Sequence, residues 1–76
     1  MMSRYNPTML KEIREVLGWS LRDLVEKCQL FKLDVTAQTL NNWENGESVP
    51  DADKLAVLAG VFGVGIERFY QNEGGK

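Results

Sequence analysis

Four amide side chains on one short stretch of this 76-residue chain are well suited to recognising another molecule. They are Gln38, Asn41, Asn42 and Asn45. In a helix, which turns by about 100° per residue, they share one face, whereas Leu40, Trp43 and Glu44 occupy the other. An amide presents a donor beside an acceptor, which matches the N6 and N7 atoms of adenine in the major groove of DNA. Outward Asn and Gln are also common as plain solvated surface, so the stretch alone leaves both interpretations open.

The residues around these amides predict the helix that must position them. Thr36 is a good N-cap, because its hydroxyl can accept from a free backbone N–H of the first turn. Gly46 can adopt the left-handed conformation that ends a helix. These signals predict a helix over residues 37–45. Asn is a poor helix former, so three Asn residues lower the intrinsic stability of this helix unless they have a second use.

Caps and apolar periodicity predict four further short helices and no strands. The five predicted helices span about residues 9–17, 21–28, 37–45, 52–62 and 66–71, with residues 29–35 connecting the second and third. The expected fold class is all-α, a compact bundle of five short helices in one domain over residues 1–76. Its ordered core is expected over about residues 8–71. Residues 1–6 and the last three residues are expected to fray.

Composition removes several classes of function. The chain has no histidine and a single cysteine, Cys28, which excludes a Cys/His metal cluster, a catalytic Ser–His or Cys–His pair and an internal disulfide. We therefore expect no enzyme, no cofactor and no metal site. No apolar run approaches the ~18 residues that span a bilayer, so we expect no membrane partner and a cytoplasmic location.

Charge is unevenly distributed along the chain. The net charge is −2, which argues against strong non-specific binding to nucleic acid, because neutralisation of phosphates by Lys and Arg dominates such affinity. Residues 1–32 nevertheless hold six basic and four acidic side chains, whereas residues 33–53 hold five acidic and no basic ones. Any positively charged surface that contacts phosphates is therefore expected in the first two helices.

Several blocks of the chain resemble a known family. They are L-x-x-I-R-E-x-L-G-W-S from Leu10 to Ser20, V-T-x-x-T-L-x-x-W-E-N-G from Val35 to Gly46, Pro50, and L-A-x-L-A-x-x-F-G-V from Leu55 to Val64. In this order and spacing, over residues 9 to about 70, the chain resembles the lambda-repressor-like, Cro-type helix-turn-helix regulators of bacteria and phages. The resemblance implies a sequence-specific DNA-binding module whose second and third helices form the motif.

The resemblance also implies roles for individual residues. Base-reading positions are matched by Ala37, Gln38, Asn41 and Asn42, of which Ala37 can offer only a methyl contact. The candidate DNA-backbone contacts are Ser20, Arg22, Thr36, Thr39, Asn45 and Ser48. Arg14 and Glu44 match a structural pair, and each is the one charge on the apolar edge of its helix. An ion pair between the first and third helices would satisfy both charges.

Three departures from the family pattern bear on affinity. Leu21 stands where the family commonly has a phosphate-contacting Gln, although Arg22 beside it can substitute. The connection over residues 29–35 is several residues longer than usual and offers a surface for another protein. The loop after the third helix carries Glu47 where the family is often basic, so we expect modest affinity per monomer.

Two classes of function remain open at this stage. The first is a transcriptional regulator, a repressor acting as a homodimer on double-stranded DNA, with Phe69 and Tyr70 either as dimer residues or as caps of the core. The second is a protein-interaction module of the same fold that binds a regulatory protein partner and has weak DNA affinity, which the acidic balance favours. An enzyme is disfavoured, because the chain shows no nucleophile–base pair and no phosphate-cradling glycine loop.

Overall fold

Over residues 2–73, the fold consists of four α-helices, one 3-10 helix and a two-stranded sheet. The structure is a computed structural model that describes residues 2–73, with side chains described for residues 4–70. In chain order the elements are β1 (Met2–Tyr5), α1 (Pro7–Val16), α2 (Leu21–Leu30), α3 (Ala37–Asn45), α4 (Ala52–Phe62), the 3-10 helix (Ile66–Phe69) and β2 (Tyr70–Glu73). None of the helices within residues 2–73 has the length and apolar character needed to cross a bilayer.

Side-chain caps begin each of the four α-helices. The caps are Asn6, Ser20, Thr36 and Asp51, each of which accepts a hydrogen bond from a backbone N–H of the first turn. Gly46 and Gly63 follow α3 and α4 in the left-handed conformation, with φ of 78° and 74°, which an L side chain rarely adopts. The predicted bounds of the third and fourth helices are confirmed. Helix α1 begins two residues before the predicted start, since Pro7 is well suited to a first helical turn.

One apolar core joins the helices. Its fully buried members are Leu10, Leu24, Cys28, Leu40, Leu55, Leu58 and Phe69. The Trp19 and Phe62 rings stack at a centroid distance of 5.7 Å, and Phe62 meets Phe69 at 6.0 Å. Helix α3, which carries the candidate base-reading residues, packs against both α1 and α2. Burial also raises the pKa of the Cys28 thiol to about 11, which makes it an unreactive core residue.

The chain ends differ from the prediction. The all-α class is confirmed, but the predicted fifth helix over residues 66–71 is a 3-10 helix of four residues, and the predicted absence of strands is wrong. Strand β1 pairs antiparallel with β2, with Tyr5 opposite Tyr70, so residues 2–5 are not frayed. The backbone N–H of Asn6 donates to the carbonyl of Phe69 (2.7 Å), which continues this pairing up to α1. The last three residues, also predicted to fray, lie outside the described residues.

The connection between α2 and α3 is a compact turn. Helix α2 continues to Leu30, beyond the predicted end near Cys28, so the connection begins at Phe31. Backbone N–H groups of Phe31 and Leu33 both donate to the carbonyl of Cys28 (2.9 Å each), and Lys32 has a positive φ of 63°. The Phe31 ring lies against Gly60 of α4. Leu30 and Phe31 nevertheless remain 80% and 51% exposed.

Candidate nucleic-acid interface

The inner edge of α3 fixes this helix in the fold. Leu40 and Trp43 are buried in the core. The backbone carbonyl of Trp43 also accepts a hydrogen bond from the hydroxyl of Tyr5 (3.0 Å). Burial, together with the negative charge of Glu44, raises the pKa of Tyr5 to about 12. The phenol therefore stays protonated at neutral pH and keeps donating to α3.

A buried ion pair joins α3 to α1. Arg14 Nε donates to Glu44 Oε2 (2.6 Å) and Arg14 Nη2 donates to Glu44 Oε1 (3.0 Å), which makes the pair bidentate. Arg14 Nη1 donates to the carbonyl of Trp19 (2.7 Å), in the turn between α1 and α2. The two side chains are only 11% and 3% exposed, and the hydrogen bond to Glu44 raises the pKa of Arg14 above its usual value. The structure thus brings together the two charges that the sequence placed on apolar edges.

The outer face of α3 carries the four amides. Gln38 and Asn45 are exposed, whereas Asn41 and Asn42 are half-buried. Gln38 Nε2 donates to Asn42 Oδ1 (3.0 Å), one helical turn further on. Ala37 is exposed at the start of the helix, where it offers a methyl group only. The candidate base-reading residues therefore form one connected surface on a helix whose opposite edge is buried.

Hydroxyl groups surround the start of this surface. Thr36 Oγ1 accepts from the backbone N–H of Thr39 (3.1 Å) and donates to the Thr39 hydroxyl (3.1 Å), which retains its own proton for a further partner. Ser20 and Asp23 form a reciprocal capping box at the start of α2. The hydrogen bonds from Ser20 lower the pKa of Asp23. Arg22 is exposed in the first turn of α2 and can reach a phosphate.

The loop after α3 is tied to the helix but adds no cation. The backbone N–H groups of Glu47 and Ser48 donate to the carbonyl of Asn42, at 2.9 and 3.4 Å. Both residues are exposed, and Pro50 is buried behind them. Ser48 can contribute a hydroxyl to a DNA backbone, whereas Glu47 repels it. As expected from the sequence, the loop after α3 therefore offers no cation to neutralise a DNA phosphate.

One predicted residue role changes in the structure, and one contributing residue was missed. Phe69 was a candidate dimer residue, but it is 0% exposed because it fills the core beneath the 3-10 helix, so it is withdrawn. Tyr70, 36% exposed at the start of β2, still reaches the surface. Tyr5 was missed altogether. The sequence feature that could have identified Tyr5 is its position, as an aromatic residue with a hydroxyl, directly before the Asn-Pro start of the first helix.

This arrangement of two capped helices joined by a turn, with an exposed polar face on the second, defines a helix-turn-helix domain. A family model described as a helix-turn-helix domain matches residues 8–75, and the chain belongs to this family. The match confirms the resemblance to Cro-type helix-turn-helix proteins. Searches among curated proteins and among solved structures found no match.

Proposed function

We propose that this chain is a sequence-specific regulator of transcription that binds double-stranded DNA and reads the major groove with α3. The observation that carries the proposal is the outer face of α3. Gln38, Asn41 and Asn42 are accessible there, while Leu40, Trp43 and Glu44 anchor the opposite edge in the core. A helix held in this way presents its amides at fixed positions, which is what base-edge recognition requires.

Backbone contacts position such a reading helix. Arg22 and the hydroxyls of Ser20, Thr36 and Thr39 are the groups proposed to meet phosphates on either side of α3. They supply few positive charges, and the net charge of the chain is −2. One copy therefore binds modestly, and we propose that two copies act as a homodimeric repressor on half-sites about one helical turn apart.

Selection from a library of random DNA duplexes tests the proposal. We expect one enriched motif, whose internal repeat reports the spacing of the two half-sites. The matched control is the double variant Gln38→Ala, Asn42→Ala, which keeps the charge of the chain and is expected to lose the motif. Selection at low salt that enriches no motif with the wild-type chain contradicts sequence-specific binding.

The connection between α2 and α3 favours a second candidate function, a protein-interaction module. Leu30 at the end of α2 and Phe31 at the start of the connection expose apolar surface, and residues 33–53, which begin within the connection, carry no basic side chain. Such a module would bind a regulatory protein through this surface and have weak DNA affinity. A wild-type chain that enriches no DNA motif supports this candidate, and Phe31→Glu would then abolish capture of the partner.

The homodimer is tested separately. Tyr70 is the remaining candidate from the C-terminal segment, and Val16 and Leu17 at the end of α1 expose further apolar surface, at 86% and 42%. Sedimentation of the wild-type chain should show a dimer, and Tyr70→Glu should shift it towards the monomer, because a charge would have to be buried at the contact. A monomer in both samples removes this part of the chain from any dimer contact.

A further inference from the structure

The hydrogen bond between Gln38 and Asn42 constrains how the two amides can be used. Gln38 Nε2 is the donor and Asn42 Oδ1 is the acceptor, at 3.0 Å. The residues are four apart on α3, where side chains of one turn face the next. An exposed pair of this kind adds little to helix stability. Its larger consequence is directional, because it decides which end of each amide is left for a partner.

Each amide has an oxygen that only accepts and a nitrogen that only donates, on opposite sides of the terminal carbon. Since Asn42 directs its oxygen towards Gln38, its Nδ2 group, with two N–H donors, faces away from Gln38. Gln38 in turn has committed one N–H to Asn42 and keeps its Oε1 as an acceptor. The connected pair therefore offers an acceptor from Gln38 and a donor from Asn42, at neighbouring positions along the helix.

We infer that Gln38 is a positioning residue for Asn42, and that the pair reads DNA as one unit in which Asn42 acts as a donor. The inference rests on the proposed function and specifies its base preference. In the major groove, guanine presents the acceptors O6 and N7 and thymine presents O4, whereas cytosine presents only a donor. Asn42 held by Gln38 should therefore favour guanine or thymine over cytosine on the strand that it contacts, whereas adenine, which has both an N7 acceptor and an N6 donor, fits either orientation of the amide.

One substitution should reverse this preference. Gln38→Glu replaces the donating amide by a carboxylate, which only accepts. To keep the hydrogen bond, the Asn42 amide must rotate so that Nδ2 faces the carboxylate and Oδ1 faces outward. The outward oxygen accepts from cytosine N4 or adenine N6. The variant should therefore favour cytosine over guanine or thymine at the same position, although the added negative charge weakens its binding to every duplex.

The experiment is a random-duplex selection carried out in parallel with the wild-type chain and four variants. Asn42→Ala identifies the base pair that Asn42 reads, because preference relaxes there. Gln38→Glu should shift the preference at that base pair by at least about fivefold, the lower end of what one side-chain pairing contributes. Gln38→Leu, which has no donor and no charge, should relax it without reversal. Gln29→Glu is the matched control, because it makes the same chemical change at an exposed position on α2 and should leave the preference unchanged.

The outcomes separate this inference from the proposed function. If the wild-type chain and Gln38→Glu show the same base preference at the Asn42 base pair, the coupling between Gln38 and Asn42 is overturned. The proposed regulator function is then unaffected. A reversal that also occurs with Gln29→Glu assigns the effect to net charge and likewise overturns it. A wild-type chain that enriches no motif removes the proposed function and the inference together. Circular dichroism of each variant verifies that the helices are retained, which is expected because Gln38 and Gln29 are both exposed.

Discussion

The two sides of α3 use polar groups in opposite ways. On the inner edge, Glu44 is an ionised group with a side chain 3% exposed, and both of its oxygens accept hydrogen bonds from Arg14. On the outer face, Gln38 and Asn42 are neutral amides, and the hydrogen bond between them leaves part of each free. A buried charge must have all its partners inside the protein, whereas an exposed amide can keep unused donors and acceptors for a ligand.

The nine residues of α3 thus divide into an inner edge that stabilises the fold and an outer face available for recognition. Changes on the inner edge remove a partner from a buried charge and should lower the free energy of unfolding. Changes on the outer face remove groups that water already solvates and should leave folding almost unaffected.

Arg14→Ala should be the most damaging single change. It leaves Glu44 buried without its cation, at a cost of about 3–5 kcal/mol. For a domain of this size, thermal unfolding should then occur more than about 10 °C lower. Lys11→Ala, which removes an exposed cation from the same helix, is the control and should change the melting temperature little. A melting temperature of Arg14→Ala within a degree or two of the parent would show that the pair does not act as a buried one.

Replacing both charges sharpens the same prediction. The double variant Arg14→Met, Glu44→Leu leaves no unpaired buried charge, and well-packed apolar replacements of a buried pair are often neutral or stabilising. Most of the loss seen with Arg14→Ala should therefore be recovered. If the double variant is as unstable as Arg14→Ala, the hydrogen bond from Arg14 to the carbonyl of Trp19 is the more important contact.

Gln38→Ala and Asn42→Ala should give the second-largest effect, on binding alone. Each should weaken binding to the best DNA site by about 1–3 kcal/mol and relax preference at one base position. The free energy of unfolding should change by less than about 0.5 kcal/mol, because both side chains lie on the solvated face. Titration of the selected duplex and of a scrambled one measures both effects. Equal affinity of parent and variants for every duplex would make the outer face ordinary solvated surface.

Tyr5→Phe tests a smaller contact on the inner side. Loss of the hydrogen bond to the Trp43 carbonyl should cost about 0.5–1.5 kcal/mol at neutral pH. Because the pKa of Tyr5 is raised from 10.0 to about 12 in the folded state, its contribution is complete below pH 10 and declines as pH rises from 10 to 12. The difference in unfolding free energy between parent and variant should therefore shrink over that window. A difference that stays constant with pH would mean that the phenol titrates equally in folded and unfolded chains.

The features of α3 that could be predicted from the sequence are those set by residues close to one another along the chain. The start and end of α3 follow from Thr36 and Gly46, which act within a few residues of themselves. The inner and outer faces follow from helical periodicity, which also placed Arg14 and Glu44 on apolar edges. The direction of the Gln38–Asn42 hydrogen bond does not follow from the sequence, because an amide pair can bond in either sense.

The chain ends show what local signals cannot provide. Strands β1 and β2 have four residues each, too few for an alternating pattern to stand out, and they form because the fold brings the two ends of the chain together. The role of Phe69 stayed open between a dimer contact and a place in the core, because aromatic residues near a terminus have no local mark of burial. Tyr5 and Trp43 are 38 residues apart, so their hydrogen bond depends on tertiary packing.

Arg22→Ala should produce the smallest effect, and it tests a proposed contact with the DNA backbone. Arg22 is exposed in the first turn of α2, where a cation can neutralise one phosphate without reading a base. Its loss should weaken binding to selected and scrambled duplexes alike. The slope of log affinity against log salt should become shallower by about 1, as expected for one phosphate contact. Titrations at several salt concentrations measure this slope.

The matched control for this prediction is Arg68→Ala, which removes the same charge from an exposed position in the 3-10 helix, away from the candidate interface. If Arg22 contacts a phosphate directly, only its substitution should change the salt slope, because counterion release depends on contacts rather than on total charge. Equal slopes for the two variants would mean that Arg22 acts only through the net charge of the chain. A loss of base preference with Arg22→Ala would instead assign this residue to the base-reading surface. The distinction between residues that contact phosphates and residues that read bases would then not hold for Arg22.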